Sequence, residues 1–202
     1  LNINSLQPRP QLVFHEDGHR YTLGGVPIPG VTRVLESAGL INYDFLPTTL
    51  REQCIARGRA VHRATEWDDR GILSEDSVSA DVLGYLRGWR SFRRDFGFLP
   101  DQIECMVYHR RLHYCGTLDR VGMTRRGDTF VIDIKTGSAP SWTAIQLAGY
   151  CACLASPRKH LRRCVELHDG SYKVIPYQTS DYQRDFSEFL AALEIYRAKE
   201  EK

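Results

Sequence analysis

The stretch from Gly116 to Tyr150 constrains the chain most: GTLDRVG is followed by FVIDIKTG and then by QLAGY. Phe130-Val-Ile-Asp-Ile-Lys135 alternates as a strand does, and side chains on a strand repeat every second residue, so Asp133 and Lys135 project from one face. Asp119 lies 133 − 119 = 14 residues upstream in a second strand-like run. Between them Arg125-Arg126-Gly127-Asp128 has the make-up of a hairpin turn. Antiparallel pairing can bring the two acids together, and two carboxylates a few ångströms apart repel unless a cation lies between them. All-oxygen ligation favours Mg²⁺ or Mn²⁺. The expectation is a hard-metal site with a lysine beside it.

At 202 residues, 42% hydrophobic and 26% charged, the chain can bury the core of one ordinary globular domain. Its formal charge of +2 neither demands nor excludes a nucleic-acid partner, because a balanced total can hide a basic groove beside an acidic centre. The sequence has no apolar run long enough for a membrane span, and LNINSLQPRP lacks the layout of a signal peptide. A cytoplasmic protein is expected, in a bacterial host cell if the chain is viral. The six cysteines include no CxxC pair and read as reduced thiols.

Taken in order, Gln11–His15 and His19–Leu23 flank an Asp-Gly step and form a hairpin. Pro27-Ile-Pro29-Gly30 interrupts it. A short helix starts at Val31, with Thr32 as a candidate cap and Gly39 as its end. Thr48 to about Asp69 is helical, with Leu50, Cys54, Val61 and Ala64 or Thr65 as its apolar or small positions. His62 sits on that helix one turn after Gly58, a glycine that costs about 1 kcal/mol of helix stability and so marks close approach of a backbone or a ligand. Ser79 to Phe96 is a second amphipathic helix, ended by Gly97 and Pro100. Strands over Gln102–Tyr108 and Leu112–Val121 precede the Asp133 strand, which puts Glu104, Asp119 and Asp133 on three members of one sheet. A helix from about Ser141 to Ala155 carries Gln146 and Tyr150 on one face. Two strands around Val165 and Tyr172–Tyr177, joined at Asp169-Gly170, and a helix from Asp181 to Lys199 complete the chain.

Taken alone, each piece has a plainer explanation. Gly116-Thr-Leu-Asp119 reads equally as a bulged strand, and Asp133-Ile-Lys135 as a solvated ion pair. Glu66 could join His62 as an i,i+4 ligand pair, but an exposed helix acid beside Arg63 and Arg70 accounts for it. Cys105, His109, His113 and Cys115 carry metal-binding side chains at spacings that match no zinc ribbon. Arg57, Arg59, Arg63 and the Arg87 to Arg94 group are candidates for a basic rim, against the ordinary reading of solvated arginines.

Joined in order, a helical GxxxH, a hairpin offering two acids and a lysine, and QxxxY resemble the PD-(D/E)XK nuclease superfamily, in particular its RecB-like branch. Arg20-Tyr-Thr-Leu-Gly-Gly-Val-Pro-Ile-Pro-Gly-Val-Thr is similar to the lead-in of small viral and mitochondrial members. The resemblance spans Gly58 to Tyr150. It implies an α/β fold with a central mixed sheet flanked by helices, the restriction-endonuclease-like core. Residues 1–202 would form a single nuclease domain: hairpin and helices over about 10–97, catalytic core over about 98–178, C-terminal helix over about 181–200. By resemblance Asp119 and Asp133 are metal ligands joined by the Ile134 carbonyl and by His62, Glu104 is a ligand for a second ion, Lys135 is catalytic, and Gln146 and Tyr150 position the nucleic acid or the active-site network. Leu118 stands where the superfamily name has proline, as is common in this branch. Cys151, Cys153 and Cys164 follow Tyr150 too closely for the cysteine pattern of iron–sulfur members, so no cluster is expected. The implied activity is a Mg²⁺-dependent DNA exonuclease of recombination or repair, with Mn²⁺ as substitute. Its implied partners are DNA, a single-strand annealing recombinase and further copies of itself. The alternatives are a structure-specific or single-strand endonuclease and an inactive DNA-binding or scaffold protein of the same fold.

Overall fold

The first described elements are β1 (Leu12–His15), β2 (Arg20–Leu23) and β3 (Val26–Ile28), which pair antiparallel in that order. This is a computed structural model, and it describes residues 11–201. The stretch LNINSLQPRP, read above for export signals, lies outside the described residues. Pro27, expected to interrupt the hairpin, instead sits in β3 opposite Thr22. A proline is tolerated there because β3 is an edge strand, with a ladder on one side only.

α1 (Val31–Ser37) has Gly30 at its N-cap, so Thr32 falls inside the first turn and not at the cap expected for it. Its hydroxyl is used elsewhere, accepting a hydrogen bond from Gln146 Nε2 at 3.4 Å. α2 (Thr48–Asp69) has the limits its periodicity implies, but Leu50 is exposed and the buried positions are Val61, Ala64 and Thr65. Among the described residues, the packing on this helix falls on its C-terminal half. α3 (Ala80–Phe96) buries Val82, Leu86, Trp89 and Phe92 and ends at Gly97, whose φ of 57° is one a glycine adopts without strain.

The main sheet holds β4 (Leu99–His109), β5 (Tyr114–Met123), β6 (Thr129–Lys135), β7 (Leu161–His168) and β8 (Ser171–Tyr177), in sequence order. Neighbours run antiparallel except β6 and β7, which are parallel and linked through α4 (Thr143–Cys151). It is a mixed sheet flanked by helices, as the motif order implies. Pro100, expected to precede β4, lies within it, where the register shifts between Pro100 and Gln102 on an edge strand. α4 stops at Cys151 and not at Ala155. The residue before Pro157 is kept out of the helical region: Ser156 is left-handed at φ 56°, and Cys153 and Leu154 donate to carbonyls only three residues back. α5 (Tyr182–Glu200) closes the chain.

The sheet is covered on both faces. Trp89, Phe92, Ile132, Ile134 and Val165 meet in the core beneath α2 and α3, while Val121, Val131, Leu147 and Phe189 fill the one beneath α1, α4 and α5. Consecutive β6 residues therefore serve opposite cores, and the strand reads as a continuous apolar run broken by Asp133. No helix among the described residues is long and apolar enough to cross a membrane.

Two helical glycines behave oppositely. A Cβ on Gly88 of α3 would lie 2.3 Å from the Ser171 carbonyl oxygen, so this glycine lets the β7–β8 turn rest against the helix. A Cβ on Gly58 of α2 would meet nothing within 4 Å. Among the described residues no backbone approaches Gly58, which removes one of the two reasons considered for it. Gly88→Ala should therefore lower stability by about 1–3 kcal/mol through overpacking. Gly58→Ala should raise it by up to about 1 kcal/mol through helix propensity. Urea denaturation of the two variants reads both signs.

Candidate metal centre

The β5–β6 ladder ends at the pair Arg120↔Ile132. Beyond it the strands part, and Ile134 N–H donates to Asp119 Oδ2 at 2.7 Å, so a side-chain carboxylate takes the place of a backbone partner. Glu104 lies across from Asp119, between the pairs Ile103↔Arg120 and Cys105↔Leu118, with a left-handed φ of 47°. Such a conformation costs a non-glycine residue about 1–3 kcal/mol and concentrates at functional sites. Strand alternation also fails here. Leu118 packs in the core under α1, α4 and α5, yet Arg120, two residues on, lies under Trp89 in the opposite core. The break sets Asp119 and Glu104 at the mouth between the layers.

α2 brings His62 to this mouth. Its Nε2–H donates to the Ile134 carbonyl at 3.1 Å, and Nδ1 lies 3.5 Å from Glu104 Oε1 and 3.7 Å from Asp119 Oδ1. Among the described residues, His62, Glu104 and Asp119 are the one group of three or more such side chains whose donor atoms lie within 4.8 Å of one another. Glu104, assigned by resemblance to a second ion, thus stands in this first group.

Asp133, implied as a ligand, does not join that group. Its carboxylate is held by Lys135, with Nζ 2.8 Å from Oδ1 and 2.7 Å from Oδ2. Lys135 Nζ is also 3.5 Å from Gln146 Oε1, and Gln146 Nε2 donates to the Tyr150 hydroxyl at 3.3 Å. Tyr150 is 6% exposed and packs on Gly116, where a Cβ would lie 2.4 Å from its ring. Gln146 and Tyr150 therefore belong to a buried network behind Lys135, and neither offers a surface to an incoming polymer.

Charge explains why these groups suit a cation. Burial, and then the charge of Glu104, holds the Asp119 carboxyl above its usual range. Burial, with Asp119 nearby, does the same to Asp133 against the opposing pull of Lys135. Burial alone would lower His62, but Asp119 and Glu104 outweigh it and raise its pKa to about 9. Lys135 is likewise raised, because Asp133 and Asp119 outweigh its burial, so it stands as an ammonium. All four groups hold protons more tightly than in water, the mark of a cluster short of positive charge. One imidazole and two carboxylates fit a divalent cation, while the Ile134 carbonyl, implied as a further ligand, is taken by the other ring nitrogen of His62.

Sequence reasoning missed the support of this cluster. Arg120 is fully buried: Nη1 donates to Glu104 Oε1 at 2.9 Å and to the Asp119 carbonyl at 2.6 Å, Nε to Asp69 Oδ2 at 2.6 Å, and Nη2 to Thr65 Oγ1 at 3.0 Å. Asp69 also accepts from Trp89 Nε1 at 3.0 Å and pairs with Arg93 at 2.7 Å. A signal existed, since an acid in the last turn of a helix opposes the macrodipole and calls for a specific partner. Trp142 was missed too; its ring centroid lies 5.1 Å from Lys135 Nζ.

Other candidates fall elsewhere. The α3 arginines do not form a free rim: Arg87 pairs with Asp169, Arg90 with Asp68 and Glu75, Arg93 with Asp69, and Arg94 with Asp95. Glu66 is gripped by Arg70 at 2.9 Å. Cys115 donates to the Pro29 carbonyl, His109 stacks on Tyr114, and His113 bonds the Tyr108 hydroxyl.

No family model matches the chain, and no curated protein does. Among solved structures it is similar to LHK-Exo in complex with dAMP, at 16% identity and a TM-score of 0.37, covering 86% of this chain and 92% of that one.

Because the folded pKa of His62, about 9, lies above its ordinary 6.5, folding in EDTA takes up a proton there as the pH rises past 6.5. The stabilisation is complete below 6.5 and lost through 9. Melting temperature in EDTA should fall across that window, and His62→Ala should lose the slope. Mn²⁺ affinity, followed by electron paramagnetic resonance, should rise up to about tenfold per pH unit over the same range, because the metal displaces the proton.

Proposed function

We propose that the chain is a metal-dependent deoxyribonuclease with a single nuclease domain over residues 1–202, and that it degrades DNA from its ends. The observation that carries this reading is the convergence of His62, Glu104 and Asp119 within 4.8 Å, directly beside the Lys135–Asp133 pair. The motif order that resembles the RecB-like branch supports it independently of that geometry.

His62, Glu104 and Asp119 would hold the cation, with the Ile134 carbonyl orienting the imidazole through its Nε2–H and Asp133 following on the same strand. Mg²⁺, or Mn²⁺ in its place, supplies Lewis-acid neutralisation of the charge that develops on a phosphodiester under attack. Lys135, kept as an ammonium by Asp133 and Asp119, donates to oxygen and so orients an attacking water or steadies a phosphate oxygen. As a protonated amine it is no general base. Gln146, held between Thr32 and Tyr150, fixes the direction of that ammonium. Arg120 restrains Glu104 from below, so that the carboxylate is in place before any ion arrives.

Preference for ends rests on the absence of a sequence-reading module in the motif set, which leaves DNA geometry as the restriction on cutting. A single-strand annealing recombinase and a homo-oligomeric ring are the companions such an activity calls for. Digestion of end-labelled linear DNA beside closed circles, with Mg²⁺ and with EDTA, tests the reading. Linear DNA should shorten progressively in Mg²⁺ while circles and sealed hairpins persist. Cutting of circles at the linear rate would replace the exonuclease with an endonuclease, and no cutting in Mg²⁺ or Mn²⁺ would leave a binding protein of this fold. Asp119→Asn, Asp133→Asn and Lys135→Ala should each slow cleavage by at least about a hundredfold. Wild-type turnover by any of them would remove that residue from the site.

A further inference from the structure

α2 shows a second face beside the one that carries His62. Arg59 and Arg63, three residues before and one after His62 in sequence, line a cleft of about 380 Å³ with Ala60, Trp67, Val78 and Val82, between α2 and the start of α3. Arg59 is the i,i+3 neighbour of His62, whereas Ala60, Arg63 and Trp67 lie roughly 100° or more around α2 from it, so the cleft occupies a different face of the helix from the metal centre. Among the described residues neither Arg59 nor Arg63 makes an ion pair, whereas Arg70, Arg87, Arg90, Arg93 and Arg94 around them all do. Arg63 instead lies over the Trp67 ring, 6.0 Å from its centroid, and that indole is 38% exposed.

Two unpaired guanidiniums four residues apart, with an aromatic plate at i+4 of the second, match the chemistry of a single nucleic-acid strand. Phosphates need cations free of protein acids, and unstacked bases need a flat apolar face. Beside the apolar Ala60, Val78 and Val82, the lining holds no side-chain amide or acid and only the small hydroxyls of Ser77 and Ser79, which suits stacking with little base discrimination. A cleft of this volume is of small-ligand size and admits an unpaired nucleotide, not a duplex. We propose that Arg59, Arg63 and Trp67 form a subsite that takes a single DNA strand on the face of α2 turned away from the acids, a reading that rests on the nuclease assignment for its substrate.

The test uses the full chain in EDTA, with fluorescein-labelled oligothymidylate and a sealed dumbbell duplex as anisotropy probes. Arg59→Gln with Arg63→Gln, and separately Trp67→Ala, should each weaken oligothymidylate binding about tenfold while leaving dumbbell binding unchanged. The double arginine variant should also flatten the salt dependence, its log–log slope falling by about 1.4 for two lost phosphate contacts on a single strand. Trp67→Phe should restore most of the affinity. All these positions are exposed, and unchanged melting temperatures would establish that the variants are folded. The subsite is overturned if wild type fails to bind oligothymidylate, if both probes lose affinity equally, or if neither does. It is equally overturned if light scattering shows a changed assembly at unchanged affinity, which would make the cleft a contact between copies. Cleavage in Mg²⁺ is scored separately: a wild type that binds a strand through these residues yet never cuts keeps the subsite and loses the nuclease reading.

Discussion

One hydrogen bond governs the layout of the site: Ile134 N–H gives its proton to the Asp119 carboxylate and not to a strand carbonyl. A ladder that continued past Arg120 and Ile132 would have paired the backbones and left both aspartates as ordinary strand-face acids. By ending there it opens a gap at the carboxyl end of β6, fixes the Asp119 carboxylate by a main-chain donor, and frees the Ile134 carbonyl to accept from His62. The Ile134 N–H and carbonyl thus both find protein partners inside the gap.

The cost of this arrangement is spread through buried polar groups. Arg120 and Asp69 are both enclosed, and a buried ion pair is tolerated only when its remaining valences are met. Here Thr65, Trp89, Arg93, Glu104 and the Asp119 carbonyl meet them. The network joins the last turn of α2 to β4 and β5, and so locks the helix that carries His62 to the strands that carry the acids. The left-handed Glu104 is held against its own preference by the same arginine. A strained residue, a buried charge network and proton-hungry carboxylates at one point indicate stability given up for preorganisation.

α2 serves three partners at once. Its C-terminal half packs through Val61 and Ala64, the line through Gly58 and His62 faces the acids, and the line through Arg59, Arg63 and Trp67 faces the cleft. A helix turns about 100° per residue, so adjacent positions serve different neighbours while positions three or four apart share one.

By itself the sequence determined the elements and their chemistry. The 3.6 and 2.0 periodicities gave α2, α3, α5 and the five main strands, and the Asp-Gly and Arg-Arg-Gly-Asp steps gave the turns, because these signals are local. It also set Asp133 beside Lys135, since two residues on one strand cannot do otherwise. Only the tertiary structure decided which donors converge. Glu104 enters the group and Asp133 leaves it because of a left-handed residue and a broken alternation, neither of which has a sequence signature at a glutamate. Arg120 and Asp69 find each other across 120 − 69 = 51 residues, and Arg87, Arg90 and Arg93 of α3 lose their freedom to acids on α2 and the β7–β8 turn. Such pairings depend on how layers stack, and stacking is settled by the whole core and not by any one segment.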